Sequence, residues 1–157
     1  MLYLTIVVIL FLPAPVMAIR SALATEPRYL GVTSGRLTPC TSSPNCVSTQ
    51  FQDGLRGMEP IPFTGTPTLA VEAIKATLST MPRIAIVEER DRYLHAVARS
   101  AFSRFPDDLE FFVDTKMNLI HFRSASQIGQ SDLGVNRARM TDFRERFEPA
   151  VATAAAL

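Results

Sequence analysis

Between Ile84 and Ser126 apolar and polar side chains alternate in four consecutive blocks, "IAIVEE", "YLHAVARSAF", "LEFFVD" and "NLIHFRSAS", each bounded by turn or charged residues. A period of two commits the middle of the chain to β-strands, and strands joined in sequence by short links pair as an antiparallel meander. Upstream, Thr66 followed by Pro67 reads as an N-cap with proline at the first helical position. Leu69, Ala70, Ala73, Ile74 and Leu78 then recur at helical spacing, and the helix ends before Pro82. Downstream, a last helix starts near Ser131 or Asp132, keeps Leu133, Met140, Phe143 and Phe147 on one stripe, and closes at Pro149. The expected fold is α+β: an antiparallel four-stranded β-meander with two helices packed on one face.

The alternation sorts the strand residues into two sets. Leu94, Ala96, Ala98, Leu109, Phe111, Val113, Ile120 and Phe122 face the helices. Tyr93, His95, Val97, Arg99, Glu110, Phe112, Asp114, Leu119, His121 and Arg123 point the other way. That second face is expected to be wet, because an open antiparallel sheet carries charge pairs on its solvent side. A two-residue hairpin turn through Thr115 and Lys116 sets Glu110 across from His121 and Asp108 across from Arg123; a four-residue loop sets Glu110 across from Arg123. His95, His121 and Glu110 are the candidate catalytic groups, with Arg99 or Arg123 available to stabilise negative charge.

Residues 25–66 precede this core as a long arm, and through Pro67 the stretch holds six of the eleven prolines and five of the seven glycines, with little periodicity. An irregular segment of that length needs a fastener. Cys40 and Cys46, six positions apart in "PCTSSPNCVSTQ", fit a structural disulfide that closes the arm. Redox catalysis favours a tighter C-x-x-C at a helix N-terminus. Zinc could draw on the same two cysteines with His95 and His121, but these lack finger or ribbon spacing. No metal and no cofactor is expected.

Residues 2–18, "LYLTIVVILFLPAPVMA", carry no charge. Pro13 and Pro15 end the helix-competent run after about ten residues, which suits a signal peptide better than the roughly 20 residues of a spanning helix. No Lys or Arg precedes the run, however, so the positive start of a signal peptide is missing, and Arg20 and Arg28 on its far side would keep the C-terminal domain inside if the helix stayed uncleaved. The first 24 residues are therefore a signal peptide or a membrane anchor. The chain that follows is exported to a periplasmic, lumenal or extracellular compartment, or stays tethered, with membrane contact through residues 2–18.

Of the sixteen Lys and Arg residues only Arg20 lies in that segment, so cleavage after Ala24 leaves fifteen of each sign. A neutral chain of this kind has no field with which to gather nucleic acid. The remaining 67–149 is a single α-β-β-β-β-α core that folds as one domain with the arm, followed by a flexible tail over 150–157.

The densest polar stretch is "RSASQIGQSDLGVNRARM", residues 123–140, where the last strand hands over to the last helix. Asp132 is expected to cap the free N–H groups of that helix. Those N–H groups, with Arg123, Ser124 and Ser126 nearby, could instead hold an anion. Asn136 falls on the apolar stripe and reads as a buried amide bonded to the backbone of the arm. Arg137 is positioned to reach back to Asp107, Asp108 or Glu110. Arg123, Ser124, Ser126, Asn136 and Arg137 are thus ligand-binding candidates, and Asp107, Asp108 and Asp132 structural ones. In "RFPDD" the adjacent aspartates could act as acid and base, although ion pairing with Arg104 and Arg123 is the simpler account.

"CTSSPNCVSTQ", "RFPDDLEFFVD" and "RSASQIGQSDLGVNRARM", three separated motifs in order, resemble the family known as domain of unknown function 1499 over residues 37–147. The resemblance implies no activity. It implies a basic residue where this chain has Gln127 and a proline where it has Thr41; the first departure removes a positive charge from the junction and weakens it as an anion clamp. The function expected is a non-catalytic module that binds an unidentified protein or small molecule at the cell envelope. The alternative is a small hydrolase or isomerase working on the exposed sheet face.

Overall fold

The computed structural model describes residues 30–41, 43–51, 54–100, 105–129 and 131–154. The export or anchor segment, Arg104 and the last three residues of the tail lie outside the described residues. Among those described, no helix is long and apolar enough to cross a membrane.

The arm is not irregular. It carries β1 (Val32–Thr33), β2 (Arg36–Leu37), β3 (Cys46–Ser48) and β4 (Ile61–Pro62), and is followed by α1 (Pro67–Ser79), β5 (Ile84–Arg90), β6 (Tyr93–Arg99), β7 (Pro106–Asp114), β8 (Leu119–Ser126) and α2 (Val135–Ala154). β5 to β8 form the expected meander, but the sheet has six strands rather than four, in the order β3-β8-β7-β6-β5, with β4 also paired to β8. Without the arm, β8 would be an edge with a row of unpaired N–H and C=O groups, a poor state for a strand so deep in the core. β3 covers its C-terminal half, from Cys46 opposite Ala125 to Ser48 opposite Arg123, and β4 covers its N-terminal half at Ile120 and Leu119. The Cys40–Cys46 disulfide forms as expected, with the Cα atoms 5.7 Å apart, and anchors the chain entering β3.

Four residues, Thr115 to Asn118, separate β7 from β8, and Asn118 takes a φ of 53°, which its short side chain tolerates. Of the two registers considered, this selects the one that sets Glu110 opposite Arg123.

Both helices share one face of the sheet. Ala70, Val71, Ile74 and Leu78 of α1 and Met140, Phe143 and Phe147 of α2 join all eight inward-facing strand residues in one core, where the Phe111 and Phe143 rings lie 4.7 Å apart. Thr66 caps α1, its Oγ1 accepting from the Leu69 N–H. Two leucines assigned to the stripes depart from them: Leu69 sits on the outer side of the first turn, and Leu133 precedes α2 in a left-handed conformation. That turn is why α2 begins at Val135, later than the sequence suggested. It also runs past Pro149 to Ala154, through alanine-rich sequence of high helix propensity.

The second face of the sheet is the main correction. Expected to be wet, it is covered: Leu37 and Val32 of the β1–β2 hairpin pack on Tyr93 and Phe112, and Cys40, Cys46 and Phe51 pack on Ala125. His95, Asp108, Glu110, His121 and Arg123 are consequently buried. The period-two pattern told which side each residue takes. What lies on that side is decided by chain more than fifty positions away.

Candidate functional site

Closing a hairpin over charged residues requires that every charge find partners, since an unpaired one would cost several kcal/mol. Glu110, fully buried, does so three times. Its Oε1 accepts from the Tyr93 hydroxyl at 3.0 Å and from the Gly31 backbone N–H at 2.7 Å, and its Oε2 from Arg123 Nη1 at 2.8 Å. Burial, reinforced by the Glu110 charge, holds the Tyr93 phenol far above its ordinary pKa, so it stays a donor. Beside this triad, His95 Nε2 lies 2.8 Å from Asp108 Oδ1, which also accepts from Gln127 Nε2 at 2.9 Å. Asp108 Oδ2 and Arg123 Nε, on neighbouring strands and the same face, are buried with no hydrogen-bond partner among the described residues.

The polar junction is equally occupied by its own surroundings. Asn136, fully buried, donates from Nδ2 to the Asn45 carbonyl at 3.0 Å and to Ser126 Oγ at 3.1 Å, while its Oδ1 accepts from Ser124 Oγ and from Arg139 Nη1. Asn45 Nδ2 returns a bond to the Gly129 carbonyl, and the Ser126 N–H donates to the Asn45 carbonyl at 3.0 Å. One asparagine therefore ties β8, α2 and the arm together, as its place on the apolar stripe suggested. Asp132 caps α2, accepting from the Gly134 N–H at 3.1 Å and the Asn136 N–H at 2.7 Å, so a protein carboxylate already fills the position in which an anion could sit. Arg137 does not reach the aspartates. It donates to the Leu55 and Gly57 carbonyls of the arm, and Arg139, two positions on and so on another side of the helix, pairs with Asp107 at 2.6 Å.

Two cavities of similar size open at opposite ends of the sheet. The first, about 750 Å³, runs beside the junction and is lined by Ile84, Phe105, Asp107, Ile128, Leu133, Val135 and Arg139 among others. Leu133 stands 94% exposed on its rim with φ 55°. The second, also about 750 Å³, lies under the hairpin tip among Arg36, Thr49, Gln50, Arg92, Asp114, Lys116 and His121. His121 Nδ1 lies 3.2 Å from Thr49 Oγ1. Burial lowers its pKa below the ordinary value of 6.5; Asp114 opposes that shift and Arg36 adds to it. His121 thus separates from His95, which faces neither cavity, as do Asp108, Glu110 and Arg123.

Sequence reasoning missed Gly31 and Asn45 as partners of Glu110 and Asn136, and it missed Arg36, Arg92 and Lys116 as a group. Tyr93 and Phe112, two aromatics on a face assigned to water, were the available sign that something covers it. Among the described residues no group of three or more His, Cys, Asp or Glu side chains is placed to hold a metal ion.

A family model described as "Protein of unknown function (DUF1499)" matches residues 36–147, most of the chain. No curated protein and no solved structure matches.

Proposed function

This chain belongs to the DUF1499 family, whose description carries no reaction, and from that premise we propose a non-catalytic binding module, exported or membrane-associated, that meets an envelope protein or small molecule at the groove beside the polar junction. The observation that carries this reading is Leu133. A leucine in a left-handed conformation is disfavoured by about 1–2 kcal/mol, and exposing its apolar side chain gains the fold nothing. Both costs fall on the rim of the groove, where a partner's apolar surface would offset them. The Asn136 network supports the reading by holding the groove wall rigid. The disulfide supports export, since such bonds persist in oxidising compartments.

The test is native mass spectrometry of the full chain taken from its own cells, beside Leu133→Ser, a surface change that leaves the core untouched. The reading expects a bound component on the wild type that is lost from the variant. A component bound equally by both would remove the groove from consideration. Intact mass of the same sample tells whether residues 1–24 remain.

A second reading, a hydrolase or isomerase using His95, His121 and Glu110 with Arg99 or Arg123, draws on one observation: His95 and Asp108 are in hydrogen-bond reach and sheltered from water. It requires the hairpin to lift, because His95 and Glu110 line neither of these two cavities.

A further inference from the structure

The second cavity is built from segments far apart in the chain that converge on one sign of charge. Arg36 comes from β2, Arg92 from the β5–β6 turn and Lys116 from the β7–β8 turn, and the neutralising groups around them are few. Among the described residues Arg36 Nη2 donates to the Gln50 carbonyl alone, at 3.0 Å, which neutralises nothing. The Lys116 ammonium has no partner among the described residues. Arg92 stacks over Phe112 with its guanidinium carbon 5.6 Å from the ring centroid; its one carboxylate, Asp91, is 3.3 Å away and largely in solvent.

Among the described residues Asp114 is the only carboxylate in the lining, and its Oδ1 is turned back to the Lys116 and Met117 N–H groups at 2.8 and 3.3 Å. Three cations therefore face the cavity against one carboxylate. Concave walls with Phe112 beneath them focus such a field instead of letting water disperse it.

The geometry points to a phosphate site: Arg36, Arg92 and Lys116 receive the oxygens of one phosphate group, with Gln50 as a neutral donor beside them through the amide hydrogen it does not give to the Gly35 carbonyl. Three separate cations match the three terminal oxygens of a phosphomonoester, whereas a carboxylate offers only two. The cavity is larger than a bare phosphate, and Val32 and Met117 on its wall supply an apolar side for an organic remainder. Either a soluble phosphomonoester or an anionic lipid headgroup carries this chemistry. The site goes beyond the junction groove and does not depend on it.

Isothermal titration of the full chain with inorganic phosphate, glycerol 3-phosphate and acetate tests the site, together with co-sedimentation on phosphatidylcholine vesicles with and without phosphatidic acid. Expected are binding of one or both phosphates in preference to acetate, and a loss of about tenfold for each cation removed in Lys116→Gln and Arg36→Gln. Lys116 is exposed, and its ammonium makes no hydrogen bond or ion pair among the described residues, so a loss in Lys116→Gln is not a folding defect. Retention only on phosphatidic acid vesicles, lost in the same variants, assigns the site to a lipid headgroup. No binding to any of these phosphates, equal binding of acetate, or binding indifferent to both variants would overturn the proposal.

Discussion

His121 and Gln127 show how much a single side chain depends on what the fold brings to it. Because burial holds the His121 pKa below 6.5, the folded protein binds fewer protons there than the unfolded chain does as pH falls below that value. Stability contributed by a neutral His121 is thus fully present above about pH 6.5 and is lost as the pH drops from there toward the lowered pKa. Urea unfolding across that window should show the decline, and His121→Gln should flatten it; an equally steep decline in the variant would remove His121 as its source. Gln127 makes one bond to Asp108, whose second oxygen has no partner among the described residues. Gln127→Arg should therefore stabilise the protein by about 1 kcal/mol, read as a raised melting temperature, by giving that carboxylate a charged partner. A lowered melting temperature would show that the half-buried position cannot take the guanidinium.

At the scale of elements, the arm is where reading and structure part. The strands β5 to β8, the cap at Thr66, the disulfide and the buried Asn136 were all legible, because each rests on a local period or on a spacing of a few residues. β1 to β4 were not: at two or three residues apiece they are too short to show a period, and only their pairing with β8 or with each other makes them strands. The same gap hid the cover over Glu110, whose bond to the Gly31 N–H spans 79 positions. The disulfide holds one end of this arm against β8. Replacing both Cys40 and Cys46 with alanine should cost about 2 to 2.5 kcal/mol of unfolding free energy by the loop-entropy relation. A change near zero would mean that β3 docks as well without the covalent closure.

Across the whole molecule, the sheet is covered on one side by two helices over an apolar core and, over Tyr93 and Phe112 on the other, by a β-hairpin above a buried layer of charge. Between them sit His95 paired with Asp108 and Glu110 paired with Arg123, while two open cavities, one of them lined by His121, lie at the sheet's ends. On the proposed reading, recognition falls to the ends and stability to the centre. The claim is sharpest at Glu110, which accepts from Tyr93, Gly31 and Arg123 at once. Removing its charge while keeping its shape leaves the Arg123 guanidinium buried without its counter-ion, a loss of about 3–5 kcal/mol when a buried pair is broken. The most direct measurement is the unfolding free energy of Glu110→Gln. The account predicts a fall of that order, partly recovered when Arg123→Met is added; a Glu110→Gln protein as stable as the wild type would contradict it.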